Sequence, residues 1–162
     1  MSRTRTVTWS DPAEIAAAGR ESEGLEFLRA LVAGEVPPPP VMALIGARIV
    51  AAEKGFVVFE LDPAEFHYNP LGSVHGGVYA TLLDSAAGCA VHSVLPAGTG
   101  YVSLDLAVRF LRPMRTETGT VTCTGTITHL GRRTALAEAK LQDGDGRLLA
   151  TATSNCLIHG GL

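Results

Sequence analysis

The chain has 162 residues, 46% of them hydrophobic and 18% charged, with a formal net charge of -3. That is enough apolar material for one domain with its own core, and it excludes a disordered chain. The balance also argues against a nucleic-acid binder that relies on a globally basic surface.

Ser10-Asp11-Pro12 followed by Glu14 predicts a helix start, with a capping residue and then proline and acid in the first turn. Leu25, Phe27, Leu28, Leu31 and Val32 predict a second short helix ending near Gly34. Pro37 to Pro40 form a stiff spacer. Residues 1–36 are therefore read as a helical N-terminal extension packed on a main domain of residues 37–162. Met1 to Ser10 lacks the apolar core of a signal peptide. No stretch approaches the roughly 20 apolar residues of a membrane span. Cys89, Cys123 and Cys156 form no CxxC pair, so three free thiols are expected. The expectation is a soluble, cytoplasmic protein without a membrane partner.

From Val41 the pattern turns to strands. Segments 41–52 and 55–61 are apolar and β-branched, broken at Lys54-Gly55 as in a hairpin. Residues 63–74 read as a loop, and 75–95 as one long helix closed by Pro96 and Gly98. Four more strands are expected, at about 100–112, 117–129, 133–142 and 147–158. Two strands, one helix and four strands predict an α+β protein whose antiparallel sheet covers a single central helix.

On that helix Tyr79, Leu82, Leu83, Ala86, Ala90 and Val94 make the core-facing stripe. Asp84 falls elsewhere, among the small residues Gly77, Ala80 and Gly88 and beside Val91. It reads either as a solvent-facing acid or as a functional carboxylate left open to a close-approaching group. His75-Gly76-Gly77 opens the helix. Its first N–H groups lack intrahelical partners and sit at the positive end of the dipole. They either form an oxyanion hole or simply allow a tight loop-to-helix turn.

The run from His67 through Asn69, Gly72, His75, Gly76 and Gly77 to Asp84 resembles the signature of PaaI-like acyl-CoA thioesterases of the hotdog fold. An amide residue stands six positions before HGG, and an acid nine beyond the histidine. The strand Val102-Ser103-Leu104-Asp105-Leu106, the following Phe110-Leu111-Arg112-Pro113 and the turn His129 to Thr134 extend the likeness over about 40–158. It implies a hotdog fold, a curved antiparallel sheet wrapped around one long helix. It implies Asp84 as nucleophile or general base, the Gly76 N–H as oxyanion donor, and His75 in support. Asn69 would orient water or carbonyl, and Ser103 would supply hydroxyl help, since Gly88 stands where other relatives carry a hydroxyl. It also implies an acyl-CoA substrate and a homodimer or homotetramer with shared active sites.

Arg109, Arg112, Arg115, Arg132 and Arg133 face a single acid, Glu117, within 106–135. Such a patch suits CoA phosphates or is an ordinary solvated surface. Gly131, Arg132, Arg133 and Arg112 are the candidate CoA contacts. The remaining histidines lack metal-ligand spacing, and neither a Walker A motif nor GxGxxG is present, so no metal and no cofactor are expected. Two further readings stay open: a hotdog-type enoyl-CoA hydratase or dehydratase, and a non-catalytic acyl-CoA sensor.

Overall fold

A computed structural model describes residues 2–160 of the chain. Helix α1 spans Pro12–Glu21, with the Asp11 carboxylate accepting from the Ala13 N–H at 2.8 Å and proline in the first turn. Helix α2 spans Gly24–Ala33 and buries Leu28 in the main core. A third short helix, α3, covers Pro40–Ile45. This corrects the strand expected from residue 41. Pro40 stands at its first turn, where a missing N–H costs nothing. Gly46, at φ 73, ends it in the left-handed conformation that disfavours any side chain. An apolar run of this length carries no periodicity of its own, so the flanking proline and glycine decide.

Strands β1 (Ala47–Glu53) and β2 (Phe56–Leu61) form the expected hairpin. Helix α4 spans Gly76–His92. Then come β3 (Thr99–Ser103), β4 (Ala107–Phe110), β5 (Val121–Leu130), β6 (Thr134–Gln142) and β7 (Leu148–Gly160). All pairings are antiparallel, in the order β1-β2-β5-β6-β7-β3, with β4 also on β7. The single strand expected at 100–112 is thus two. Asp105 breaks it, its carboxylate accepting from the Asn155 N–H at 3.1 Å and the Asn155 side-chain amide at 2.6 Å.

The sheet packs around α4, which buries Tyr79, Leu82, Leu83, Ala86, Ala87, Gly88, Ala90 and Val91. Gly88 and Val91 are thus buried, although the sequence placed them on the Asp84 side. Contact is close enough at β5 that a Cβ on Gly125 would lie 1.9 Å from the Ala86 carbonyl oxygen. Only a residue without a side chain fits there. The result is α+β: a curved seven-stranded antiparallel sheet around one long helix, the hotdog arrangement expected. Among the described residues no helix is long and apolar enough to cross a membrane.

Candidate active site

Asp84 sits midway along α4, half-buried, with Ser103 Oγ donating to its Oδ1 at 2.9 Å. Ser103 is the last residue of β3, paired with Cys156 of β7, and from there its hydroxyl reaches the helix. Among the described residues Oδ2 has no hydrogen-bond partner and Asp84 makes no ion pair.

The carboxylate borders a cavity of about 340 Å³. Ile49, Phe59, Cys89 and Tyr101 supply one wall; Leu31, Val36 and Pro37 to Pro39 supply the other. The sequence could not say what the N-terminal region covers; here α2 and the proline spacer close the space beside Asp84. Burial pushes the Cys89 thiol up to about 12, with Asp84 adding to the effect, so it lines the wall as a small apolar group.

The small residue Gly88 has a neighbour the sequence did not disclose. A Cβ there would lie 2.4 Å from the Tyr101 hydroxyl, so the phenol ring occupies the space that a larger residue would need. Tyr101 carries no signal of its own in the sequence, because one aromatic in a strand looks like any core aromatic.

At the start of α4, His75 caps the helix: its Nδ1 accepts from the Gly77 N–H at 2.8 Å. That bond assigns the proton of a neutral ring to Nε2. The Gly76 N–H has no partner among the described residues. It opens beside a groove of about 300 Å³ lined by Ser73, Tyr79, Phe110 and Arg112. Phe110 leans on it, 3.2 Å from where a Cβ would stand, and meets Tyr79 edge to face.

Asn69 Oδ1 accepts from the Leu71 and Ser73 N–H groups at 2.8 and 3.3 Å, and Nδ2 donates to Ser73 Oγ at 3.2 Å. Its amide braces the loop before the helix, with one Nδ2 hydrogen uncommitted.

The predicted residues therefore fall into two groups. Gly76 and Asp84 lie eight residues apart on one helix, about 12 Å at 1.5 Å per residue, too far to meet on one carbonyl. The arginines divide likewise. Arg112 donates to the Leu148 carbonyl at 2.6 Å, at the start of β7, beside the Gly76 groove. The exposed Arg132 and Arg133 follow Gly131 in the β5–β6 turn; the Arg133 carbonyl accepts from Ile158, near the far end of β7. Ten residues of strand, roughly 33 Å, separate the two ends.

A family model described as the thioesterase superfamily matches residues 71–150. A 1,4-dihydroxy-2-naphthoyl-CoA hydrolase of Listeria monocytogenes is 32% identical over 114 residues, covering 70% of this chain and 89% of that protein. The chain belongs to the thioesterase superfamily. A thioesterase family protein from Silicibacter pomeroyi is 28% identical, with a TM-score of 0.73, over 83% of this chain and 99% of that one. The PaaI protein of E. coli, 22% identical, shares the fold with a TM-score of 0.74 over 87% of this chain and 97% of that one. The PaaI-like hotdog resemblance carried by residues 67–84 is borne out. Thioesterase membership covers α4 through the start of β7 and leaves the extension outside the matched span.

Proposed function

We propose that this thioesterase hydrolyses an acyl- or aroyl-CoA to the free acid and CoA, with Asp84 attacking the thioester carbon or activating the water that does. The observation that carries the reading is the half-buried Asp84 carboxylate, held by Ser103 at 2.9 Å, unpaired, on the wall of an apolar cavity. Ser103 fixes one carboxylate oxygen and leaves the other for the chemistry. The acyl group occupies the cavity between Phe59, Tyr101 and the proline spacer. The volume stands at the lower end of the range for ligand sites.

The oxyanion donor is the Gly76 N–H of a second copy of the chain. It has the polarity the developing charge needs, at a helix N-terminus and without a competing partner. His75 keeps it so by taking up the Gly77 N–H instead, and Asn69 holds the loop in register. The 12 Å separation within one helix favours a homodimer with two shared sites. Both half-sites lie along the edge formed by β3 and β4, one at Ser103 and the other at Phe110. That edge exposes Val102 at 43%, Leu104 at 59% and Phe110 at 56%. A two-fold axis between them sets the Asp84 end of one chain against the Gly76 end of its partner. The same operation carries Arg112 of one chain toward Arg132 and Arg133 of the other, a basic rim for the CoA phosphates.

Thiol release from a panel of acyl- and aroyl-CoAs tests the reading. Asp84→Asn is expected to lower kcat by about 10²- to 10⁴-fold with the fold and assembly unchanged. Undiminished turnover in that variant would sink the assignment of Asp84.

A further inference from the structure

The cavity beside Asp84 is apolar except for four side chains. Arg48 is directed at Glu60 and Asp62, at 2.7 and 2.9 Å. Ser85 donates to the Thr81 carbonyl at 2.7 Å. Asp84 is held by Ser103. The fourth is Tyr101, whose hydroxyl lies over Gly88, one helical turn past Asp84, and has no hydrogen-bond partner among the described residues. Burial pushes this phenol well above its usual range, with the thiol of Cys89 and the carboxylate of Asp84 adding to the effect. It is therefore a proton-bearing donor. A ring set into the notch left by Gly88 cannot turn its hydroxyl elsewhere without losing that packing.

We propose that the Tyr101 hydroxyl is a specificity-determining donor for the acyl group, selecting substrates with an acceptor oxygen about one helical turn, ~6 Å, from the thioester carbon. The inference rests on the thioesterase reading of the same cavity. A plain hydrocarbon acyl group shields the phenol from solvent and offers no acceptor in return. Leaving a buried donor unsatisfied weakens binding roughly tenfold to a hundredfold. An oxygen at the right depth accepts the bond instead. Discrimination of this kind, by a polar group that one substrate satisfies and its analogue does not, exceeds what an apolar wall achieves by shape.

The test compares hexanoyl-CoA with 5-hydroxyhexanoyl-CoA and benzoyl-CoA with 4-hydroxybenzoyl-CoA, in wild type and Tyr101→Phe. Wild type is expected to favour the oxygenated member of at least one pair by about tenfold in kcat/KM. Tyr101→Phe keeps the ring in the Gly88 notch and is expected to bring that ratio close to one. A merely structural role would move both members of a pair equally and leave their ratio unchanged, which overturns the proposal. The wild-type ratios decide independently of how the variant folds: parity, or preference for the plain member in both pairs, also overturns it. If wild type releases thiol from none of the four, the hydrolase reading falls and the inference with it. Release with ratios insensitive to Tyr101 removes the inference alone.

Discussion

Two residues carry most of what is particular to this chain. Gly88 lies inside a helix, where glycine costs roughly 0.5–1 kcal/mol relative to alanine, and the Tyr101 ring fills the space a side chain there would need. Gly88→Ala puts a Cβ 2.4 Å from the phenol oxygen and is expected to destabilise the fold by about 1–3 kcal/mol through overpacking. In a Tyr101→Ala background the same change is expected to be neutral or stabilising, because only the helix propensity remains. Denaturant titration of the four proteins of this cycle measures the coupling; additive effects would show that the two residues do not compete for one space. His67 gives a pH signature. It is buried, its Nδ1 accepting from the Ala64 N–H at 3.0 Å and its Nε2–H donating to the Ile45 carbonyl at 2.7 Å. Burial, with a smaller contribution from Arg5, holds it below the ordinary 6.5. The unfolded chain therefore takes up a proton near 6.5 that the folded chain resists. Stability is full above that value and declines as pH falls, levelling off below the folded pKa. Burial lowers His92 too, so it adds with the same sign. Melting temperatures read from about pH 7.5 to 5 are expected to fall less steeply in His67→Gln.

At the scale of elements, α2 is expected to share the cooperative core of the sheet. Leu28, 1% exposed, packs into the same cluster as the side chains of α4, and Gly24 donates to the Leu95 carbonyl just past that helix at 3.0 Å. Leu28→Ala is expected to cost about 2–5 kcal/mol in a single unfolding transition. A separate early transition would mean that the extension unfolds alone. The helix α4 and strands β5 to β7 were legible in the sequence because long periodic segments and Asp-Gly turns state their own limits. Residues 41–45 were not, since a six-residue helix has no period to display and its proline start also reads as a spacer. The Asp105 break in 100–112 was hidden because it depends on Asn155, fifty residues away. The same limit governs the site. The Asn69, Gly76 and Asp84 spacing could be read locally, whereas the Tyr101–Gly88 contact and the wall supplied by Leu31, Val36 and the prolines arise only when distant segments meet.

At the scale of the whole molecule, the proposed site requires two chains, and the requirement can be tested without disrupting either. Gly76 is the first residue of α4, the position where proline is tolerated because its missing N–H has no helical partner. His75 before it is extended, at φ -63 and ψ 138, a conformation compatible with a following proline. Gly76→Pro therefore deletes the proposed oxyanion donor while leaving the helix in place, at the cost of a small shift of Phe110. Alone it is expected to lower kcat by about 10²- to 10³-fold, and Asp84→Asn is expected to act through the other half of the site. Unfolding the two variants together and refolding them as a mixture yields dimers in which one site carries both lesions and the other carries neither. With random pairing, half the dimers are mixed and each has one intact site, so about a quarter of wild-type activity returns. Each variant refolded alone stays inactive. If the mixture is no more active than its parts, Asp84 and Gly76 do not meet across a subunit boundary, because a site confined to one chain gains nothing from mixing.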